Sequence, residues 1–289
     1  MERTLSLPRT IISLNEMTSA SRDWKRAGDT IAFVPTMGAL HEGHLALIEY
    51  ASSLASRVVV SIFVNPSQFG PNEDFSKYPR TLRDDLEKVK HLKIDAVFTP
   101  NASEIYPPDF QTWVDNSLMS LDFCGPLRPQ HFRGVTTIVL KLFHLVACDH
   151  AVFGKKDYQQ VKLIEQMVRD LNMPITIHPM ETVREEDGLA LSSRNRFLDG
   201  PSRHISLALP VALNVVFDLF QSGVRSRAEI EKAFASEIAR YPEIQLEYGN
   251  VANQSNLRRD GDEITEASVF LAAVRVGGVR LIDNLELGP

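Results

Sequence analysis

Two histidines, His41 and His44, stand three residues apart in the stretch IAFVPTMGALHEGHLAL, just after an apolar run rich in β-branched residues. Gly38 precedes the pair and Gly43 lies between the two histidines, and both allow backbone to come close to a ligand. A helical pattern begins at about Glu42, so both imidazoles would lie on one face of its first turn. Because a helix N-terminus carries N–H donors and the positive end of the dipole, this stretch predicts phosphate binding.

The histidine pair has two other interpretations that the spacing leaves open. The side chains could cap the helix, or they could bind a metal ion. No third ligand stands out in the sequence, so no protein metal site is predicted.

A second polar cluster, GKKDYQQ, occupies residues 154–160 at another predicted strand-to-helix junction. Lys156, Asp157 and Gln160 fall three and four residues apart, so one face would present a cation for phosphate, an acceptor for ribose hydroxyls and an amide for a small polar substrate. Asp157 and Gln160 also fit a capping box, which needs no ligand. Spacing alone does not choose between these interpretations.

Three further segments carry candidate polar contacts. Gln68 lies in the turn-rich NPSQFGP, at the predicted carboxyl end of a buried strand, where α/β sheets bind ligands, although turns recruit polar residues without function as well. Ser192, Ser193 and Arg194 place two hydroxyls and a guanidinium in succession, which suits triphosphate oxygens. Arg133, near the start of a predicted helix, could face an anionic substrate or pair with a carboxylate.

The elements that must position these residues alternate along the first part of the chain. Apolar runs of strand length are followed by amphipathic helical stretches, which predicts an α/β fold with a Rossmann-like, doubly wound parallel sheet. A short strand is expected near Trp113. We assign residues 1–182 to this nucleotide- and substrate-binding domain.

Residues 183–289 predict a smaller C-terminal α+β domain. Helical patterns cover residues 202–221 and 226–241, and strands are expected at 268–276 and 279–285. Gly277 and Gly278 between these strands are typical of a two-residue hairpin, so the C-terminal sheet should be antiparallel.

Composition narrows the class of partner. The chain has 289 residues, a formal net charge of −6 and no run of Lys or Arg, which argues against binding to nucleic acid or to an anionic membrane. We recognise no secretory signal and no membrane span. Cys124 and Cys148 form no CxxC pair, which fits a reducing cytoplasm.

Taken as a whole, TMGALHEGH resembles the HxGH signature of the nucleotidyltransferase superfamily that includes class I aminoacyl-tRNA synthetases. The preceding VPTM, the stretch FGKKDYQQ, the later SSRN and the tail RLIDNLEL resemble the pantoate–β-alanine ligase family. The resemblance is dense over residues 31–198 and returns at 275–285. Two positions depart from the family: Gln130 stands where Gly is common before HFRG, and Lys155 where an acid or Gln is commoner.

The resemblance implies ATP-dependent condensation of (R)-pantoate with β-alanine through a pantoyl adenylate, releasing AMP and pyrophosphate. It implies ATP as substrate with Mg²⁺, a cytoplasmic homodimer, and a C-terminal domain that closes over ATP. The main alternative is a nucleotidyltransferase of the same superfamily that acts on a phosphate-ester acceptor. A second alternative is a nucleotide-binding protein without activity.

The resemblance also implies roles for individual residues. His44, His41, Lys156 and Arg194 would be catalytic, and Gln68 and Gln160 would bind pantoate. The ATP-binding set would be Met37, Gly38, Ala39, Leu40, His41, Glu42, Gly43, His44, Gly154, Lys155, Lys156, Asp157, Val183, Leu191, Ser192, Ser193 and Arg194.

Overall fold

The computed structural model describes residues 7–71 and 73–288. Within these ranges the chain forms two compact units. The first contains residues up to 120, 125–154 and 163–180, and the second contains 121–124, 155–162 and the residues from 181 onward. Nothing in the sequence predicts that the short segments 121–124 and 155–162 belong to the second unit. The predicted boundary between residues 182 and 183 stays a prediction.

A six-stranded sheet forms the first unit, and every strand pair in it is parallel. The strands lie in the order β1-β4-β3-β2-β5-β6. This arrangement confirms the predicted Rossmann-like class. The strands are β1 (Thr10–Ile11), β2 (Ile31–Thr36), β3 (Arg57–Ile62), β4 (Ala96–Phe98), β5 (His150–Gly154) and β6 (Thr176–Met180).

The strand order reverses at β2. The chain goes from β2 to β3 on one side, whereas β5 pairs with β2 on the other. Open α/β sheets bind ligands beyond the carboxyl ends of the strands at such a switch point, because the connections leave in opposite directions and open a crevice. The histidine-containing loop follows β2 and therefore begins at this place.

Helices cover the sheet and build the second unit. They are α1 (Leu14–Arg26), α2 (Glu42–Leu54), α3 (Leu82–Val89), α4 (Ala102–Ile105), α5 (Cys124–Leu127), α6 (His131–Val146), α7 (Tyr158–Asp170), α8 (Gly200–Ile205), α9 (Ala208–Gln221) and α10 (Arg227–Ile238). One core cluster joins β2, β3 and α2 through Val34, Val60 and Ile48, all without solvent exposure. Strands buried on both faces explain the near-continuous apolar runs in the sequence.

The second unit contains a three-stranded antiparallel sheet in the order β7-β8-β9, formed by β7 (Gln245–Asn253), β8 (Ser268–Val276) and β9 (Val279–Leu287). Gly277 and Gly278 join β8 to β9 with φ of 55° and 79°, as the hairpin prediction requires. Ser226 caps α10 by accepting a hydrogen bond from the Glu229 N–H at 3.3 Å. The sequence did not predict β7.

Two expected elements differ in the structure. Residues 202–221 do not form one helix, because Pro210 has no N–H and its ring excludes the carbonyl four residues earlier, so α8 ends and α9 begins anew. Near Trp113 the described chain is not part of a strand. The Val114 backbone is bonded to two α6 hydroxyls: its N–H donates to Thr137 Oγ1 at 3.0 Å and its C=O accepts from Thr136 Oγ1 at 2.6 Å.

One helical stretch among the described residues, 200–221, is long and apolar enough to cross a membrane by length and composition alone. Its second helix, α9, places Ala212, Val216 and Phe220 in the core of the second unit. This burial is the pattern of a core helix in a globular domain.

Candidate functional site

The loop after β2 has an unusual backbone at its first turn. Gly38 and Ala39 both lie in the left-handed region, with φ of 81° and 52°. A Cβ on Gly38 would lie 2.9 Å from Ile62 Cγ2, so glycine is required there for space as well as for conformation. For alanine the left-handed conformation is unfavourable, so other contacts must stabilise it.

Asp85 on α3 provides those contacts. Its carboxylate accepts hydrogen bonds from the backbone N–H groups of Ala39 at 2.9 Å and Leu40 at 2.8 Å. Thr81 Oγ1 donates to the same carboxylate at 3.2 Å, and the Asp85 side chain is fully buried. Lys88 Nζ completes the link by donating to the Leu40 carbonyl at 2.6 Å.

Asp85 is a functional candidate that the sequence analysis missed. A signal was present, because Asp85 stands four residues before the buried Val89, on the apolar face of α3. Because Leu40 is buried and both its N–H and C=O are bonded within the protein, its contribution to the predicted ATP site is the shape of the loop.

His41 and His44 lie at the start of α2. The His44 Nδ1 accepts a hydrogen bond from the His41 backbone N–H at 3.4 Å, and the two rings lie 4.1 Å apart between centroids. This contact caps the helix, so capping, one of the interpretations that the spacing left open, is present in the structure. It also leaves the His44 proton on Nε2, because a ring nitrogen that accepts an N–H cannot carry a proton itself.

Gln68 lies next to this loop. It ends a short 3₁₀ turn, Pro66–Gln68, and its Nε2 donates to Met37 Sδ at 3.1 Å. Asn65, which is 1% exposed, donates through Nδ2 to Gln68 Oε1 at 3.0 Å. Met37 and Gln68, 31 residues apart in sequence, are therefore brought together at the carboxyl ends of β2 and β3.

The backbone of Gln68 is fixed by residues that the sequence analysis did not single out. Arg128 Nη2 and His131 Nδ1 lie 3.3 and 2.8 Å from the Gln68 carbonyl oxygen. Glu73 holds Arg128 through two hydrogen bonds of 2.6 and 2.7 Å. Burial raises the pKa of Glu73, but the hydrogen bonds and charge of Arg128 outweigh it and lower the pKa.

The sequence leaves two partners possible for Arg133: an anionic substrate or a protein carboxylate. In the structure its Nε lies 3.3 Å from Asp115 Oδ2, and its guanidinium lies 5.2 Å from the centroid of the Trp113 ring. These contacts match the structural interpretation. At the start of the same helix, Gln130 adopts a left-handed backbone with φ of 68°, a position that suits the glycine common in the family.

In the second unit, residues Lys155–Asp157 form a 3₁₀ turn that leads directly into α7. Lys156 Nζ lies 3.8 Å from the exposed carboxylate of Asp157. Lys155 Nζ lies 2.6 Å from Glu181 and 2.9 Å from Glu286. Burial lowers the pKa of Lys155, but the two carboxylates outweigh it and raise the pKa.

The two adjacent glutamines at the start of α7 have different environments. Gln159 is 6% exposed, and its amide accepts from the Cys124 N–H at 3.1 Å and donates to the Asp122 carbonyl at 2.8 Å. Gln160 is half-buried. Gln159 therefore anchors a neighbouring segment, which supports Gln160 as the candidate for ligand binding.

The segment before Ser192 is a tight hairpin. The Glu185 N–H bonds the Leu189 carbonyl at 2.8 Å, and the Leu191 N–H bonds the Val183 carbonyl at 3.0 Å. Asn195 closes its base by donating from Nδ2 to Glu185 Oε1 at 2.7 Å and to the Ala190 carbonyl at 3.1 Å. Ser192, Ser193 and Arg194 are all half-buried and lie in sequence between this hairpin and Asn195.

The predicted residues are divided between the two units. The first unit contains Gln68 and the predicted residues from Met37 to His44, and Gly154 ends β5 in the same unit. The second unit contains Lys155, Lys156, Asp157, Gln160, Val183, Leu191, Ser192, Ser193 and Arg194. Among the residues that the structure describes, no three His, Cys, Asp or Glu side chains form a metal-binding group.

The chain matches the family model for pantoate-beta-alanine ligase over residues 9–286. Pantothenate synthetase from Moorella thermoacetica is 45% identical over 283 residues, which cover 98% of this chain and 99% of that protein. The corresponding enzyme from Geobacter sulfurreducens is 45% identical over 280 residues, covering 97% and 99%.

Solved structures give the same result. The crystal structure of pantothenate synthetase from Thermus thermophilus matches with a TM-score of 0.91 at 39% identity, covering 97% of this chain and all of that one. Pantoate-beta-alanine ligase from Francisella tularensis, complexed with beta-gamma ATP and beta-alanine, matches with a TM-score of 0.79 at 32% identity, covering 97% and 98%.

Proposed function

Because the chain belongs to the pantoate–β-alanine ligase family and is an enzyme of that class, we propose that it forms pantothenate from (R)-pantoate and β-alanine in two steps. In the first, a pantoate carboxylate oxygen attacks the α-phosphorus of ATP, and pyrophosphate leaves. In the second, the β-alanine amine attacks the acyl carbon of the pantoyl adenylate, AMP leaves, and the nitrogen gives up a proton.

The observation that carries this proposal is the loop at the switch point of the parallel sheet. The left-handed turn at Gly38 and Ala39, held by Asp85, starts the His41–His44 helix turn at the carboxyl end of β2. This is where such sheets bind nucleotides, and His44 Nε2–H is a suitable donor to a phosphate oxygen.

We assign the other roles by charge and polarity. Lys156 and Arg194 are the cations that neutralise charge on the phosphates, and Ser192 and Ser193 donate hydroxyls to the same oxygens. The remaining members of the ATP-binding set line the nucleotide. Because the Lys155 ammonium is bound to two glutamates, its contact with ATP would come from the backbone.

Gln68 and Gln160 are assigned to pantoate, and Gln68 is also a candidate for contacting β-alanine. Both side chains are neutral, which favours a carboxylic acid with hydroxyl groups over a phosphate ester. The site requires no covalent nucleophile, because positioning and charge neutralisation suffice for adenylate formation.

Mg²⁺ fits this site as an ion carried by ATP. The described residues include no group of three or more His, Cys, Asp or Glu side chains that could hold a metal, and the triphosphate oxygens and water would supply many of the ligands of the ion. The ion would supply additional charge neutralisation on the phosphates.

We also propose a cytoplasmic location and a homodimer, following the family. The two cysteines are buried and form no disulfide, which fits a reducing compartment. Burial raises the pKa of Cys148 to about 12, so this thiol is unreactive. Light scattering coupled to size-exclusion chromatography measures the oligomeric state.

The decisive experiment follows an oxygen label. Pantoate labelled with ¹⁸O in its carboxylate is incubated with ATP, Mg²⁺ and β-alanine, and the products are analysed by mass spectrometry. The proposal expects one labelled oxygen in the phosphate of AMP, together with pyrophosphate–ATP exchange that needs pantoate but not β-alanine. Unlabelled AMP, or ADP as the product, would refute the adenylate.

A further inference from the structure

The RLIDNLEL stretch of β9 resembles the family but has no assigned role. Two neighbouring residues in it, Asp283 and Asn284, contact both ATP-binding segments of the second unit. We propose that this pair consists of positioning residues, which fix the Lys155–Asp157 turn and the hairpin before Ser192 in the shape that binds the phosphates. This inference rests on the proposed function, because it takes those two segments to bind ATP.

Asn284 acts on the first segment. Its Nδ2 donates hydrogen bonds to the carbonyl of Lys155 at 2.8 Å and to the carbonyl of Lys156 at 3.1 Å. Asn284 is 8% exposed, so water cannot readily replace these bonds. Both amide hydrogens are used, and each is bonded to one of two successive carbonyls. The backbone from which the Lys156 ammonium extends is thereby fixed.

Asp283 acts on the second segment. Its side chain has no solvent exposure and accepts a bidentate ion pair from Arg184, with distances of 2.6 and 2.9 Å. Arg184 Nη1 also donates to the Gly188 carbonyl at 3.0 Å, across the turn of the hairpin. The hydrogen bonds from Arg184 to Asp283 raise the pKa of Arg184, so the guanidinium stays charged at every physiological pH.

Because Asp283 and Asn284 are adjacent in one strand, they can contact the hairpin before Ser192 and the Lys155–Asp157 turn at the same time. Successive side chains of a strand point to opposite faces, so Asp283 and Asn284 act in different directions. β9 is paired with β8 along its length, with Asp283 opposite Ala272 and Asn284 opposite Leu271. A strand held in a sheet is a more rigid support than a loop, which suits residues that must orient others.

The test compares ATP affinity with stability in Asn284→Ala and Asp283→Asn, using the full-length enzyme. Isothermal titration gives the Kd for ATP, steady-state exchange gives the KM for pantoate, and thermal unfolding gives Tm. We expect the Kd for ATP to rise between about 10- and 100-fold in each variant, the scale for a misplaced binding group. The KM for pantoate should change by less than about threefold, which corresponds to about 0.65 kcal/mol.

Glu247→Gln is the matched control. Glu247 is a buried carboxylate of the same sheet, with 6% side-chain exposure, and it binds Arg275 and Arg280 at 2.6 Å each. This variant should lower Tm as the test variants do and leave the Kd for ATP unchanged. If Glu247→Gln raises the Kd as much as Asn284→Ala, the effect reports general destabilisation and the inference is wrong.

Two further variants keep the outcome decisive. Asn284→Ser, which retains a single donor, replaces Asn284→Ala if the latter does not fold, and an intermediate rise in Kd is expected. Lys156→Ala and Arg194→Ala test the proposed function itself. If these two leave the Kd for ATP unchanged, the ATP site is misassigned; if they raise it while the Asp283 and Asn284 variants do not, only the positioning role is refuted.

Discussion

Replacement of Asp85 by Asn tests how the loop containing Gly38, Ala39 and Leu40 is held in shape. The buried carboxylate accepts two backbone N–H groups at 2.8 and 2.9 Å, and an amide can accept only with its single oxygen. The variant therefore loses one hydrogen bond to a charged acceptor, worth about 1.5–3 kcal/mol, and leaves a buried N–H facing an NH₂ group. We expect the free energy of unfolding to fall by about 2–4 kcal/mol.

For a unit of this size that loss corresponds to a fall in Tm of roughly 4–16 °C. ATP binding should weaken as well, by up to about 10²-fold, because Ala39 would no longer be held in its left-handed conformation. Urea unfolding measures the first effect and isothermal titration with ATP the second.

Glu87→Gln is the control on the same helix. Glu87 is exposed and pairs with Lys90 at 2.8 Å, so its replacement should leave both Tm and the Kd for ATP almost unchanged. Asp85→Asn with an unaltered Tm and an unaltered Kd for ATP would show that the loop keeps its shape without the carboxylate. Asp85 would then have no part in forming the nucleotide site.

Three other predictions concern single side chains. His44→Ala should reduce pantoate-dependent ATP–pyrophosphate exchange by about 10²–10³-fold, the scale for losing one preorganised donor, and a fall below about threefold would remove His44 from the mechanism. Gln160→Ala should weaken pantoate binding more than ATP binding, measured by titration of each ligand, and equal losses for both ligands would contradict the assignment. Gln159→Ala, which removes two buried hydrogen bonds, should instead lower Tm. Gln130→Gly should raise the free energy of unfolding by about 0.5–1 kcal/mol in urea titrations, because the left-handed backbone costs glycine nothing, and a loss of stability would mean that the Gln130 side chain makes a compensating contact.

The class of fold was accessible from sequence because strands buried on both faces leave unbroken apolar runs, as β2 and β3 do. The Gly277–Gly278 hairpin was accessible for a similar reason, since only residues that tolerate positive φ suit such a turn. The break between α8 and α9 was missed although Pro210 marks it. The apolar pattern predicts one helix across Pro210, but proline has no N–H to bond the carbonyl four residues earlier, so a continuous helix cannot form there.

Site residues divide in the same way. His41, His44 and Lys156 lie within short motifs, so local spacing made them candidates and the family resemblance supplied their predicted roles. Asp85 acts on a loop 45 residues away in sequence, and no local pattern connects the two positions. Asn284 acts across 129 residues. Such contacts depend on tertiary structure, so a single sequence contains their residues but not their pairing.

The bond between Asn284 and Lys155 has a consequence for biosynthesis. A nascent chain whose Lys155 has just emerged from the ribosome must grow by a further 129 residues before Asn284 emerges as well. At about 5–20 residues per second this takes roughly 6–26 s, during which the turn is incomplete. Early termination anywhere in that interval therefore yields polypeptides in which the Lys155–Asp157 turn lacks both hydrogen bonds from Asn284.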